Sequence, residues 1–271
     1  MTIATLLAQT SRADALPLLA HVLRKDRAWI VAHPEAIPAA HERQAFEALY
    51  ARRRFGEPVA YLLGRAGFYG REFQVSPNVL VPRPETELII DEAIAYIARP
   101  MLVLDVGTGC GAIACTIAAQ TQSNVDATDI SPAAIEIARS NAVAHGVEEQ
   151  CRFYAGDLAE PVSSNRYDLI VANLPYIPTA HLPQAPDPVS FEPGLALDGG
   201  PDGLALYRRL LPSLPKLINE DGLVLLEAAP PNIFKLKDLV CASLPNFTIS
   251  VVPDYAKLPR YVRAERRALW G

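Results

Sequence analysis

Apolar positions recur at helical spacing through the first sixty residues. Over residues 11–25, Leu16, Leu19 and Leu23 fall on one face, and Ser11 stands where a capping hydroxyl is wanted. A second helix is predicted from Asp26, carrying Trp29 and Ile30. A third is predicted from about Pro38, with Phe46, Leu49, Tyr50 and Arg53 on one face and an end at Gly56. Between Gly64 and Val81 the pattern changes. Phe68, Tyr69, Phe73, Val75, Val79 and Val81 are interspersed with glycines, which predicts a short hairpin joining two domains. Pro82-Arg83-Pro84 then halts any strand, because proline has no N–H for the ladder.

Beyond this point strands and helices alternate. The pattern predicts strands over residues 101–106, 124–129, 151–154, 167–172 and 222–228, with 246–252 closing the series. Helices are predicted over 111–120, from the Ser131-Pro132 cap to about His145, and over 204–218. Such alternation implies an α/β fold, a doubly wound, mostly parallel sheet with helices on both faces. The expected organisation is a helical domain over 1–63, a hairpin linker over 64–85 and an α/β domain over 86–271.

Composition narrows the function. The 271 residues are 50% hydrophobic and 20% charged, with a net charge of −5. That suits neither a disordered chain nor a general polyanion binder. Basic clusters at Arg52-Arg53-Arg54 and at Arg260, Arg263, Arg266 and Arg267 read first as solvated surface, and second as a docking face for an acidic or RNA-bearing partner. Cys110, Cys115, Cys151 and Cys241 form no Cys-x-x-Cys pair and the histidines are scattered, so no metal site is expected; buried free thiols in a reducing compartment are. The chain shows neither a leader pattern nor an apolar run of about 20 residues, so a cytoplasmic, non-membrane protein is expected.

The candidate chemistry lies at the strand ends. The first α/β strand ends in Asp105-Val106-Gly107-Thr108-Gly109-Cys110-Gly111 and runs straight into a helix. Its glycines allow a tight turn and close approach of backbone to a ligand. The second strand ends in Asp129, placed to accept from ribose hydroxyls. A bound nucleoside follows. The spacing Gly107-x-Gly109-x-x-Ala112 also fits a dinucleotide fingerprint, so NAD stays open on glycine spacing alone. Asp105 argues against it: a carboxylate beside the loop would repel a pyrophosphate, whereas it suits the ammonium of a methionine moiety or a bracing role beneath the loop amides. Asp157, after the third strand, is placed to accept from an adenine amino group with Leu158 against the ring; a simple turn aspartate reads nearly as well.

The fourth strand delivers Asn173-Leu174-Pro175-Tyr176 to the same edge. An amide nitrogen is flat and barely nucleophilic because its lone pair is delocalised. Two fixed acceptors, the Asn173 side-chain oxygen and the Leu174 carbonyl, would take its N–H bonds and favour the pyramidal form. Pro175 fixes φ and Tyr176 offers an aromatic wall. Methyl transfer from a sulfonium needs positioning rather than a nucleophilic side chain.

These residues resemble the peptide chain release factor glutamine methyltransferase family, within the Rossmann-like class I methyltransferases. The resemblance covers nearly the whole chain. It is carried by Gly56-Glu57-Pro58-Val59-Ala60-Tyr61, by Val81-Pro82-Arg83-Pro84-Glu85-Thr86-Glu87, by the loop and the tetrapeptide, and by Glu192-Pro193-Gly194-Leu195-Ala196-Leu197-Asp198-Gly199-Gly200. It implies that Asp105, Gly107, Thr108, Gly109, Cys110, Gly111, Asp129, Asp157, Leu158 and Asn173 hold S-adenosylmethionine, leaving S-adenosylhomocysteine, without a metal. It implies that Asn173, Leu174, Pro175 and Tyr176 are catalytic and, with Arg83 and Glu85, bind the glutamine of a release factor's Gly-Gly-Gln tip. The helical unit is implied to help dock that partner, with ribosome contact at most indirect and no direct nucleic-acid substrate. A ribosomal-protein glutamine or a nucleic-acid adenine is the alternative target. The chain departs from the family pattern at Leu174, usually proline, where preserved chemistry on a less constrained backbone is expected. It departs also at Leu158, often aromatic, at Ala228-Ala229-Pro230-Pro231-Asn232 and around 254–263.

Overall fold

The computed structural model describes residues 1–8 and 10–266, so Arg267 lies outside the described residues. By their contacts the residues divide into two units, 1–66 with 183–191, and 67–182 with 192 onward. The sequence reading kept 86–271 together, whereas this division adds 183–191 to the helical unit. Gly56 (φ +104°) shows how closely that segment lies: a Cβ there would stand 2.4 Å from the Pro186 carbonyl oxygen and 2.9 Å from the Phe191 ring.

The helical unit holds α1 (Ile3–Ala8), α2 (Arg12–Leu23), α3 (Arg27–Ala32), α4 (Ala40–Arg54) and α5 (Val59–Leu63). Short α1 and α5 carry too few turns to show a periodicity and escaped the sequence reading. Ile3, Leu6, Ala15, Leu18, Leu19, Ile30, Phe46 and Leu62 form its core. On α2 the buried stripe therefore runs through Ala15, Leu18 and Leu19, with Leu16 and Leu23 at its margin. Ser11 makes no side-chain cap; its N–H donates to the Tyr50 hydroxyl at 2.8 Å. Asp26 does cap α3, accepting from the Trp29 N–H at 2.6 Å.

Two short strands, β1 (Arg65–Phe68) and β2 (Arg71–Gln74), form the expected hairpin. Tyr69 and Gly70 both have positive φ, as a two-residue turn matching strand twist requires.

The α/β unit follows with α6 (Glu87–Tyr96), β3 (Leu102–Val106), α7 (Ala112–Thr121), β4 (Asn124–Asp129), α8 (Pro132–His145), β5 (Cys151–Ala155) and β6 (Tyr167–Ala172). It continues through α9 (Ala205–Leu210), α10 (Leu214–Leu217), β7 (Ile218–Glu227), α11 (Ile233–Ser243), β8 (Phe247–Pro253) and β9 (Pro259–Arg266). One sheet results, in the order β5-β4-β3-β6-β7-β9-β8. Neighbours from β5 to β7 pair in parallel, and β9 is antiparallel to both β7 and β8. Leu104, Val106, Ile170, Ala172, Val224 and Leu226 face α9, α10 and α11 in one core cluster. The alternate residues, Asp105 among them, face the layer of α6, α7 and α8.

Two expectations need correction here. The helix expected over 204–218 is broken into α9, a tight turn at Leu211–Ser213 and α10, because Pro212 and Pro215 cannot donate to a continuous helix. The series does not close at residue 252. β9 returns between β7 and β8, burying Tyr261, Val262 and Ala264 in the stretch that the sequence marks as a basic cluster and predicts no strand for. Those arginines are largely paired: Arg260 with Asp254, Arg263 with Glu92, and Arg266 with Glu220. Of the thiols, Cys110, Cys115 and Cys151 are buried, while Cys241 is exposed.

Candidate active site

Strand register brings the two predicted motifs together. Val106 of β3 pairs with Thr128 of β4 on one side and with Ala172 of β6 on the other, so Gly107, Asp129 and Asn173 emerge from adjacent strand ends. Neighbouring strands lie about 5 Å apart. Gly107 has φ +77°, a conformation that strains any residue with a side chain, and a Cβ there would lie in ordinary contact, 3.9 Å, with the Asn173 carbonyl oxygen.

The turn after β3 is held from several sides. The N–H groups of Gly107 and Thr108 both donate to the Thr128 carbonyl at 2.9 Å. Asp105 is fully buried beneath the turn, where strand alternation directs it, and its Oδ2 accepts from the Thr108 hydroxyl at 2.6 Å. Its Oδ1 is buried and reaches no hydrogen-bond donor among the described residues. Burial pushes this carboxyl up to about 7. The Cys110 carbonyl accepts from Asn141 Nδ2 at 2.8 Å, and Asn141 also exchanges bonds with the backbone of Gln74. Burial pushes the Cys110 thiol up to about 12, so it stays neutral.

Asp129 accepts twice from backbone, from Gly109 N–H and from Ser131 N–H, each at 2.9 Å. Burial raises its pKa against those two bonds. Each oxygen keeps a lone pair for a further donor such as a ribose hydroxyl. Asp157 is paired with Arg209, and Leu158 sits at φ +48°, a conformation unusual for a branched side chain.

A cavity of about 310 Å³ lies in front of these strand ends. Gly107, Gly109, Asp129, Asp157 and Leu158 line one part of it, and Asn173, Leu174 and Pro175 another. Asp105, Thr108, Cys110 and Gly111 do not reach its wall; they shape the turn from behind. Tyr176, Arg83 and Glu85 are not on this wall either. A larger open groove of about 1180 Å³ between α2 and α4 of the helical unit contains none of the predicted site residues.

Behind Asn173 lies a polar chain that sequence reading missed. Asn173 Nδ2 donates to Thr86 Oγ1 at 3.0 Å, and the Thr86 hydroxyl donates to Glu227 Oε2 at 2.7 Å. Arg83 donates to Glu192 at 2.7 Å, and Glu87 accepts from the Tyr69 N–H at 2.8 Å. The Pro-Arg-Pro-Glu-Thr-Glu motif thus braces the strand ends and the hairpin. The sequence marks this motif only through the family resemblance, and its roles toward Glu227, Glu192 and Tyr69 have no local signal. Burial raises the Tyr176 phenol, with Glu227 adding to the effect and Arg260 and Arg83 opposing it. The Leu174 N–H donates to the Tyr207 hydroxyl at 3.2 Å, a bond that proline would lack.

The cavity fits a nucleoside carrying a cationic sulfur. Its wall offers two carboxylates, and the arginine beside them is already paired with Asp157. A cavity for a pyrophosphate would present unpaired cations instead.

Comparison with known proteins agrees with this architecture. Residues 86–183 match the family model described as methyltransferase small domain, and residues 3–64 the one described as PrmC N-terminal domain. A protein of Moorella thermoacetica named release factor glutamine methyltransferase is 41% identical over 86% of this chain and 83% of its own length. Proteins of the same name from Koribacter versatilis and Bordetella pertussis are 38% and 43% identical, over 93% and 80% of this chain and 90% and 81% of theirs. Among solved structures, a methyltransferase from Pyrococcus furiosus aligns with a TM-score of 0.55 at 19% identity, over 80% of this chain and 96% of its own. A 16S rRNA N2 G1207 methyltransferase from T. Thermophilus, solved with AdoMet and guanosine, aligns at 0.55 and 18% identity, over 75% of this chain and 50% of its own. At such identities the structural likeness is one of fold.

Proposed function

We propose, from the premise that the chain belongs to the release factor glutamine methyltransferase family, that it methylates the side-chain amide nitrogen of the glutamine in the Gly-Gly-Gln motif of peptide chain release factors. The observation that carries this reading is the emergence of Gly107 and Asn173 from adjacent strand ends onto one cavity. S-adenosylmethionine supplies the methyl group on a sulfonium, already activated as a cation.

The residues' own work is positioning. Gly107 and Gly109 let the backbone approach the nucleoside, Asp129 accepts from the ribose diol, and Asp157 and Leu158 border the adenine end. The substrate amide donates one N–H to Asn173 Oδ1 and the other to the Leu174 carbonyl. Both acceptors lie out of the resting amide plane, which turns the nitrogen lone pair toward the methyl group. The C–N bond forms as the S–C bond breaks, and the nitrogen, now positively charged and acidic, releases its proton to water. Pro175 holds the carbonyl direction and Tyr176 forms a wall. Arg83 and Glu85 border the path of the substrate loop, and the helical unit contributes docking surface. The substrate acts in translation, which puts the enzyme in the cytoplasm. Among the described residues no helix is long and apolar enough to cross a membrane.

The test is mass spectrometry of purified release factors after incubation with enzyme and isotopically labelled methyl donor. One added methyl on the loop glutamine is expected, and its absence sinks the reading. Asn173→Ala should lose at least about 100-fold in kcat while still binding S-adenosylhomocysteine; an unaffected rate would remove Asn173 from its role.

A further inference from the structure

We propose that Glu227, acting through Thr86, sets which way round the Asn173 side-chain amide faces, and so whether the site presents an acceptor to the substrate. The inference rests on the assignment of Asn173 as the residue that receives the target amide. It concerns two positioning residues rather than ones that touch substrate.

The argument follows from counting protons. An ionised carboxylate only accepts, and a threonine hydroxyl owns a single proton. Glu227 Oε2 takes that proton at 2.7 Å, so Thr86 Oγ1 has only lone pairs left for its other neighbour. That neighbour, 3.0 Å away, must therefore be the Asn173 NH₂. The Asn173 oxygen is then turned to the opposite side, free to accept from the substrate. The reversed amide would bring two oxygens face to face with no proton between them. Both Thr86 and Glu227 are buried, at 4% and 1% exposure, so water cannot substitute for either bond.

Protonation of Glu227 removes the constraint. A neutral carboxyl donates to Thr86 Oγ1, which frees the threonine proton for the Asn173 oxygen. The Asn173 NH₂ then faces the substrate N–H groups, donor against donor, and the site opposes its own substrate. The surroundings put this switch within working pH. Burial at the end of β7 raises the Glu227 carboxyl to about 7. The Thr86 hydroxyl and Arg260 of β9 favour the charged form, Glu85 of the neighbouring turn repels it, and the Tyr176 phenol lies beside it. A carboxylate held so close to neutrality destabilises the fold when charged, which a purely structural contact would not require.

The test compares Glu227→Gln, Thr86→Val and Thr86→Ser in the full-length enzyme acting on its release factor. Gln keeps the shape of Glu but both donates and accepts, so it no longer dictates the threonine proton. Glu227→Gln should lower kcat by about 10-fold, with the dissociation constant for S-adenosylhomocysteine unchanged. It should also flatten the fall in kcat that the wild type shows between about pH 8 and about pH 6. Thr86→Val should lose roughly 100-fold and Thr86→Ser should recover most of it. A Glu227→Gln enzyme with wild-type kcat and a wild-type ratio between those two pH values overturns the proposal. An independent readout needs no release factor: the Asn173 side-chain NH₂ resonances, followed by nitrogen-15 NMR, should move with a midpoint near neutrality in the wild type and not in Glu227→Gln. Resonances that are blind to pH in both proteins overturn it even if turnover cannot be observed. A wild type that binds S-adenosylhomocysteine but methylates no release factor instead refutes the substrate assignment.

Discussion

Leucine at position 174 makes the turn after β6 depend on a phenol. Its N–H donates to the Tyr207 hydroxyl at 3.2 Å, and that hydroxyl donates onward to the Glu227 carbonyl. Tyr207 is fully buried and Leu174 nearly so, so neither bond has water in reserve. The backbone freedom expected from replacing proline by leucine is thereby removed through a contact from α9. Tyr207→Phe should cost about 1–3 kcal/mol in denaturant unfolding, because it leaves buried polar groups unpaired, and should lower kcat. In a Leu174→Pro background there is no N–H to strand, so the penalty should shrink by about 1 kcal/mol. A double-mutant cycle with zero coupling would show that the phenol does not hold residue 174. Asp129 invites a similar separation of roles, since both its oxygens already brace backbone. Asp129→Ala should weaken S-adenosylhomocysteine binding by about 1–3 kcal/mol in calorimetry. An analogue lacking the ribose diol should lose much less. Equal losses for both ligands would reduce Asp129 to a brace.

At the scale of elements, the turn between β6 and α9 is laid directly against the tetrapeptide. Ile177 exchanges backbone bonds with Leu197 and Gly199 at 3.1 and 2.8 Å. A Cβ on Gly203, which has φ +78°, would stand 2.3 Å from the Tyr176 carbonyl oxygen, so neither the conformation nor the space admits a side chain. Gly203→Ala should therefore destabilise by about 1–3 kcal/mol and displace the tetrapeptide. A thermal unfolding midpoint and a kcat both unchanged would mean the turn is slack. What the sequence disclosed at this scale was set by local signals. β4, β6 and α8 were legible to the residue, because buried runs end in Asp129 and Asn173, and Ser131-Pro132 starts a helix whose cap bond forms at 3.2 Å. The helix α6 is not predicted, because the motif before it reads as a strand stop and a family signature and gives no helix-start signal of its own. α11, with Ile233, Leu236 and Val240 buried on one face, is not predicted although Asn232 stands at its N-cap position, where it makes no side-chain cap bond. The front of the site was legible because its residues end consecutive parallel strands. Its rear was not, because the partners there are remote in sequence: Thr86 and Glu227 are separated by 141 residues, Asn173 and Thr86 by 87, Asn141 and Gln74 by 67. No local pattern announces such a pairing.

Over the whole molecule, the acidic balance of −5 coexists with many arginines that face carboxylates, as Arg53 does Asp14 and Arg52 does Glu57. Pairs with this much access to solvent contribute modestly to stability. The carboxyls that matter are the buried ones, Asp105 and Glu227, each raised to about 7 by desolvation. For both, the folded pKa lies above the unfolded one, so the native state keeps a proton that the unfolded chain releases. Stability from these groups is fully present below the unfolded value and is lost as pH rises toward about 7. For Asp105, raised from 3.8, the full loss is on the order of 4 kcal/mol. Asp105→Asn removes the titration while adding a fixed offset from its new NH₂ group, and the offset cancels when two pH values are compared. The variant should therefore gain stability relative to wild type by a few kcal/mol between about pH 5 and about pH 8 in urea unfolding. A difference that stays constant across that window would mean that Asp105 is already ionised at the lower pH, and that the turn beneath the cavity stabilises its charge.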